Sequence, residues 1–381
     1  MIAKRLILKN WRNFQSIDIE LQERMFIVGP NASGKSNLLD AFRFLRDIAR
    51  QKGGGLQNAI DLRGGLSKIR CLAARRDPIV EMEIHLSESS ETWKYKIAIK
   101  QEVRGNRQPF IAEEIVWKNG DEIARRPDKK DKEDKKRLIQ THLEQINANV
   151  EFRPIADFFE SFTYLHLVPQ LLRHPNAFTG PGIEGDPFGR NFLDRIMRTS
   201  EKTRKSRFKK IEQALRLAVP QLKELKIDND KMGIPHFEAV YEHWRAKGAK
   251  QREDQFSDGT LRLLGFFWSI LEGDSLLLLE EPELSLNASI IRKIPSLIHR
   301  LQKQKKRQVL ISTHSADLLL DKGIGGEEVI LLTPDKEGTR AEISSSIEEV
   351  RLLLEAGMPI AEAVLPRTEP GTVRQLESFS A

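Results

Sequence analysis

Gly29-Pro30-Asn31-Ala32-Ser33-Gly34-Lys35-Ser36 fits the pattern G-x-x-x-x-G-K-[ST] at every position. Each residue type answers a demand of a triphosphate. The glycines let the backbone curl so that consecutive N–H groups face phosphate oxygens. Lys35 supplies positive charge for the β- and γ-phosphates, and the Ser36 hydroxyl suits Mg²⁺. Residues 24–28 read as a short buried strand, and 37–50 carry apolar side chains at helical spacing. The loop therefore opens a helix, whose N-terminus favours an anion. The expected nucleotide contacts are Gly29, Asn31, Ala32, Ser33, Gly34, Lys35, Ser36 and Asn37, and the expected ligand is ATP with Mg²⁺.

Leu276-Leu277-Leu278-Leu279-Glu280-Glu281-Pro282-Glu283 is an aliphatic strand ending in acid. A buried strand that delivers carboxylates at its C-terminal end is what a Mg²⁺-nucleotide site in an α/β sheet requires. Glu280 would hold Mg²⁺, directly or through its water, and Glu281 would polarise an attacking water. Val309-Leu310-Ile311-Ser312-Thr313-His314-Ser315 is a further short strand. As a parallel neighbour it would bring His314 to the edge that carries Glu281, to sense a γ-phosphate; a lone histidine is otherwise a structural residue. Residues 255–262 begin a helix that Ser257 or Thr260 can cap, with Gly259 permitting close backbone approach.

The elements that must position these groups follow from patterning. A strand at 4–9, a turn at 10–13 and an alternating strand with Ile17, Ile19 and Leu21 precede the phosphate loop. Strands at 79–86, 92–100 and 110–117 read as an antiparallel meander. The charged stretch 119–149 reads as a solvated loop running into a short helix. Residues 158–168 read as a strand, followed by a Pro- and Gly-rich connector through Gly189. Residues 190–218 read as one basic helical region. Arg198, Lys202, Lys205, Lys209 and Arg216 fall within about 60° of one another on a helix. That stripe is a solvated helix face or a polyanion-binding surface. Arg63 is a weaker candidate for a phosphate or nucleic-acid contact.

Of 381 residues, 39% are hydrophobic and 31% charged, which suits a globular chain, and the net charge of +7 permits contact with nucleic acid. The longest aliphatic run is far too short to cross a bilayer. Met1 leads straight into a strand pattern, and Cys71 is the only cysteine, so a reducing cytoplasm is the expected home and no membrane partner is expected.

The order of these parts over residues 1–334 resembles the head of an ABC-type ATPase of the SMC-like, RecF-like and OLD-like branch. Carrying the resemblance are Lys9-Asn10-Trp11-Arg12-Asn13-Phe14, the phosphate loop, Phe256-Ser257-Asp258-Gly259-Thr260-Leu261-Arg262, Glu280-Glu281-Pro282-Glu283 and Ser312-Thr313-His314-Ser315. The resemblance implies an α/β P-loop NTPase fold, with a mixed and antiparallel β lobe and a helical lobe. It implies that Ser257 and Gly259 form the signature that reaches the γ-phosphate on the other subunit of a homodimer, with no role inside one subunit. Glu281 then resembles the catalytic base and His314 the switch histidine. Gln170 resembles the glutamine that watches Mg²⁺ and the attacking water, or else is a surface turn residue. Trp11, Arg12 and Asn13 either line the adenine or α-phosphate side or form a structural turn. The chain departs from the pattern at Glu280, where Asp is usual, at Asp258, where transporters have Gly, and at Asn287, where many relatives have His. These departures bear on turnover.

The expected organisation is a first lobe over 1–186 containing the insert 119–149, a helical basic subregion over 187–255, a second lobe over 256–334 and a tail over 335–381. The expected function is an ATP-gated homodimeric switch, working beside a separate effector in DNA maintenance or anti-phage defence, with nucleic acid a candidate partner through Arg198, Lys202, Lys205 and Lys209. Glu280 also admits a scaffold that binds ATP and barely hydrolyses it. An OLD-like nuclease is disfavoured, since the acids after Pro334 lack strand-end spacing. The tail, with apolar segments at 350–354 and 360–365, either packs on the head or docks a partner.

Overall fold

The computed structural model describes residues 1–75, 77–174, 186, 188–244 and 248–369. In chain order its first strands are β1 (Ile2–Trp11), β2 (Phe14–Glu20), β3 (Arg24–Val28), β4 (Val80–Glu88) and β5 (Glu91–Gln101). Next come β6 (Pro109–Lys118), β7 (Asp121–Arg126), β8 (Thr163–Leu165), β9 (Leu222–Asn229) and β10 (Pro235–Tyr241). The last are β11 (Ala249–Arg252), β12 (Leu277–Glu280), β13 (Val309–Thr313), β14 (Val329–Asp335) and β15 (Gly338–Ile343).

They form three sheets, ordered β2-β1-β4-β5-β6-β7, β11-β10-β9 and β15-β14-β3-β13-β12-β8. The first is antiparallel throughout, and in β4 Val80, Met82, Ile84 and Leu86 are buried in alternation, as one packed face demands. In the third, β8, β12, β13, β3 and β14 run parallel and only β15 is reversed. Its central strands are continuous aliphatic runs because both faces are covered. Period-two alternation then divides them between two cores. Met25, Ile27, Leu278 and Leu310 pack with the antiparallel sheet and the helix Lys35–Ala49. Phe26, Val28, Leu277, Leu279 and Ile311 pack against the helix Asp258–Leu271 and its neighbours.

Several local expectations are corrected. The stretch 119–149 is more than a solvated loop: it adds edge strand β7 to the meander and buries an ion cluster. Arg126, 1% exposed, donates to both oxygens of Asp131 at 2.8 Å and to the Gln140 carbonyl at 2.6 Å, with Glu114 at 3.5 Å. Glu114 also accepts from Tyr95 Oη at 2.9 Å and the His142 N–H at 2.8 Å. Mixed charge in sequence concealed pairs that fold inward. Arg126→Met should cost about 3–5 kcal/mol, because it removes the buried cation shared by Asp131 and Glu114 and leaves Asp131 only the half-exposed Arg137, at 3.0 Å, as a charged partner. The measurement is the urea midpoint, which should fall with the denaturant slope unchanged.

Residues 158–168 are likewise not one strand. The helix Arg153–Glu160 runs through the first of them, and its burial of Ile155, Phe158 and Phe159 is helical in period. Only Thr163–Leu165 pairs with β12. The basic region is two helices, Phe192–Met197 and Glu201–Ala218, the second capped by the Ser200 hydroxyl. Arg198 therefore lies outside the helix that carries Lys202, Lys205 and Lys209, and Lys205 is paired with Glu201 at 2.6 Å. The connector before Gly189 falls mostly outside the described residues. A division at 334/335 falls inside β14, which pairs with β15. Val350, Ile360 and Val364 are buried in the second core, so the described part of the tail packs on the head. Among the described residues no helix is long and apolar enough to cross a membrane.

Candidate functional site

The C-terminal ends of β3, β13 and β12 converge at one edge of the parallel sheet, where an α/β fold places its ligands. The phosphate loop leaves β3 and enters the helix Lys35–Ala49 through Gly34, whose φ of 98° is left-handed. A Cβ at Gly34 would also lie 2.2–2.6 Å from the Asn13 amide, so only glycine fits. Lys35 is buried and donates from Nζ to the Gly29 carbonyl at 2.9 Å and the Pro30 carbonyl at 3.0 Å. Burial lowers its pKa, while Glu281, Glu280 and Glu283 oppose that shift. The Ser33 hydroxyl is buried without a partner.

Asn13 ties this loop to its surroundings, a role that sequence reading left between a nucleotide contact and a turn. Its Nδ2 donates to the Ser33 carbonyl and to Thr339 Oγ1, each at 2.7 Å, and its Oδ1 accepts from Asn37 Nδ2 at 2.8 Å. Trp11 Nε1 donates to the Asn37 carbonyl at 2.8 Å. Thr339 and Gly338 lie beyond the expected second lobe, and the Thr339 N–H returns to the Asn13 carbonyl at 2.8 Å. Arg12, with φ 54°, pairs with Asp40 at 3.2 Å and lines a cleft of about 950 Å³ together with Asn13, Asn37 and Lys68. Arg63 is not free for a phosphate: it is buried between Asp40 and Asp47, at 2.8 and 3.0 Å.

The two acids at the end of β12 diverge. Glu280 Oε1 accepts from Ser36 Oγ at 2.5 Å, which brings two hard oxygen donors together across the loop. Its Oε2 accepts from the Tyr164 hydroxyl, and its carbonyl lies 3.3 Å from His166 Nδ1. Burial and the Glu280 carboxylate both raise the Tyr164 pKa, so the phenol stays a donor. Glu281 turns the other way, with φ 45°, and its Oε1 meets His314 Nε2 at 2.9 Å. A left-handed glutamate is strained, and strain of this kind marks sites where geometry is imposed. His314 has its pKa lowered, first by burial and then by Lys35, with Glu281 opposing, which favours the neutral imidazole. A neutral ring leaves one nitrogen to accept and the other to donate.

Glu283 was not singled out by its sequence. It is buried, and its Oε1 accepts from Thr313 Oγ1 at 2.5 Å and the His314 N–H at 3.2 Å, so it clamps β13 where it ends. Burial raises its pKa, and its Oε2 has no partner. An acid one residue past a proline, facing a Thr-His pair, was the available signal.

Ser257 caps the helix Asp258–Leu271, its Oγ accepting from the Thr260 N–H at 3.1 Å. A Cβ on Gly259 would sit 2.8 Å from the Ser285 carbonyl oxygen, so this glycine does have a role within one chain, packing the helix start against the loop after Glu283. Gln170 Nε2 reaches Asp258 Oδ2 at 3.3 Å, and Arg173 pairs with Asp258 at 2.6 Å. The structure thus joins Gln170 to the signature-like segment, while Tyr164 and His166 occupy the neighbourhood of Glu280. Among the described residues no hydrogen bond or ion pair joins residues 257–259 to the phosphate loop. Asn287 caps the next helix through the Ser289 N–H at 2.9 Å.

The profile of the family described as "AAA domain, putative AbiEii toxin, Type IV TA system" matches residues 24–321. A stretch of 46 residues is 52% identical to the DNA replication and repair protein RecF of Actinobacillus pleuropneumoniae serotype 5b, covering 12% of this chain and 13% of that one. RecF of Synechocystis is 31% identical over 90 residues, or 23% of each chain. The chain thus spans less than a quarter of the length of these curated relatives. The SMC head bound to the C-winged helix domain of ScpA superposes with a TM-score of 0.55 at 15% identity, over 90% of this chain and 98% of that chain. The Smc head with an extended coiled coil, bound to the C-terminal domain of ScpA derived from Pyrococcus furiosus, gives 0.53 at 13% identity, over 93% and 99%. At such identities the likeness is one of fold, a mixed α/β P-loop ATPase head.

Proposed function

We propose an ATP-gated switch for this chain, which belongs to the AAA-domain family matched over residues 24–321 and has the fold of SMC- and RecF-like ABC-type ATPase heads. The observation that carries the reading is the pairing of Ser36 with Glu280 at 2.5 Å beside Glu281 with His314 at 2.9 Å, at one sheet edge above the phosphate loop.

The residues present fit Mg²⁺ and ATP: the donor set of Ser36 and Glu280 is all oxygen, Lys35 is positioned for phosphate, and the buried Ser33 hydroxyl lacks a partner. Bound Mg²⁺ would neutralise charge that builds on the phosphates. Lys35 exchanges its carbonyl contacts for phosphate oxygens. Glu281 accepts the proton of the attacking water, and neutral His314, held by Glu283 through its backbone, turns the single N–H it gives to Glu281 in the free chain toward the γ-phosphate. Arg12 and Asn13 border the cleft on the nucleoside side. Gln170, on Asp258, couples the first lobe to the signature segment.

Ser257 and Gly259 supply their part of the site to a second copy. Closure of two chains over two ATP molecules completes both sites, and hydrolysis releases them. The relatives named for DNA replication and repair, and heads captured with ScpA domains, favour a role in DNA maintenance beside a partner protein, while the family description, which names a putative AbiEii toxin, keeps defence beside a separate effector as the second reading. Lys202 and Lys209, exposed on their helix, are the residues to meet a nucleic acid. A site of this kind belongs in the cytoplasm.

Light scattering tests the reading. Wild type should dimerise on adding Mg²⁺·ATP, and Ser257→Arg should stay monomeric while binding ATP with unchanged affinity. A wild type that is monomeric at every ATP concentration overturns it.

A further inference from the structure

Glu280 is the residue whose length departs from what such a site ordinarily carries, and the structure surrounds it in a specific way. A glutamate has one more rotatable bond than an aspartate, so its carboxylate sweeps a larger volume and loses more entropy when fixed. Here both oxygens are already committed: Oε1 to Ser36 Oγ at 2.5 Å, and Oε2 to the Tyr164 hydroxyl. Tyr164 is 4% exposed and lies in β8, the edge strand beside β12, where it pairs with Leu278. Its ring is held from the other side by the Arg43 guanidinium, 4.2 Å from the ring centroid. Arg43 lies 3.8 Å from Asp40, which is itself fixed by Arg63 at 2.8 Å. Tyr164 is therefore immobilised by packing and by a charged network that reaches Arg12 through Asp40 but, among the described residues, makes no hydrogen bond or ion pair to the phosphate loop, Glu281 or Glu283.

We propose that Tyr164 is a positioning residue that makes a glutamate serviceable at position 280: it grips one oxygen of the longer side chain so that the other is presented beside Ser36. The proposal rests on the Mg²⁺·ATP reading above. Aspartate carries its carboxylate one methylene nearer the backbone, so an aspartate that meets Ser36 is expected to lose the Tyr164 hydroxyl, and on this reading Glu280 and Tyr164 form a matched pair. Preorganised ligands bind more tightly because the ordering is done before the ligand arrives.

The test is a titration of a fluorescent ATP analogue onto the full chain at varied Mg²⁺ and in EDTA. Tyr164→Phe keeps the ring and its stacking on Arg43, and its thermal melt without nucleotide verifies folding. The Mg²⁺ concentration for half-maximal binding should rise about tenfold, the order of one hydrogen bond to a charged group. Analogue affinity in EDTA should stay within about twofold of wild type, a pattern that general loss of structure would not give. Glu280→Asp supplies the second arm: in that background Tyr164→Phe should have little further effect. Wild-type Mg²⁺ dependence in Tyr164→Phe, or additive effects in the double variant, overturns the proposal. Wild-type binding no tighter than that of Lys35→Ala overturns the nucleotide reading as well, which separates the two failures.

Discussion

Lys35→Ala is expected to raise the dissociation constant for ATP by at least about 100-fold. The estimate follows from charge-assisted hydrogen bonds of about 1.5–3 kcal/mol each, two of which a lysine ammonium can direct at adjacent phosphates. In the free chain the Lys35 ammonium donates to the Gly29 and Pro30 carbonyls, at 2.9 and 3.0 Å. Those acceptors hold the amine at the loop, and on binding it exchanges them for charged phosphate oxygens. Its removal has a second consequence. Glu280, Glu281 and Glu283 all act electrostatically on Lys35, and without it their charges face an incoming polyphosphate unopposed. Titration of a fluorescent ATP analogue measures the loss, and an unchanged dissociation constant would count against the site. Lys35→Arg should not restore binding, because a planar guanidinium does not fit between two carbonyls shaped around an ammonium.

Glu281→Gln should lower phosphate release about 10²–10⁴-fold, the range that a positioned general base contributes, while ATP affinity stays near that of wild type. Gln is the same size and can still contact His314 Nε2, now 2.9 Å from the carboxylate, so the left-handed turn at φ 45° is retained. What is lost is the basic oxygen and the negative charge that acts on Lys35 and His314. The expected result is an ATP-bound dimer that persists in light scattering after wild-type dimers have decayed. Single-turnover phosphate release and dimer lifetime measured on one sample check both halves. Should wild type already release phosphate no faster than Lys35→Ala, the chain is a scaffold for ATP rather than a motor, and Glu280 in place of Asp would be the first residue to examine.

Residues close together in sequence announced themselves. The phosphate loop was legible because one backbone segment must supply nearly all of its groups, so type and spacing survive in eight consecutive positions. Glu280, Glu281 and His314 were legible because each ends a short aliphatic strand, and parallel neighbours in a sheet end on the same side. The three-strand meander was visible in its alternation, since one covered face imposes a period of two.

Contacts between distant segments left no such trace. Tyr164 on Glu280, Glu283 on the His314 backbone, and Asn13 between Ser33 and Thr339 join residues up to 326 positions apart. Each uses a polar side chain of ordinary appearance, and only burial and orientation give it a role. Charge concealed the rest. Arg63 and Arg126 look like surface cations in sequence, yet both are buried against paired carboxylates, because a desolvated charge persists where its partners are already in place. Sequence alone determined that the loop at 29–36 opens a helix, and at which end of which strands Glu280, Glu281 and His314 would stand. Which glutamate oxygen faces Ser36, which residues hold it there, and that Gln170 leans on Asp258 were decided by tertiary packing, since strand order and side-chain burial are properties of the whole sheet rather than of any local run.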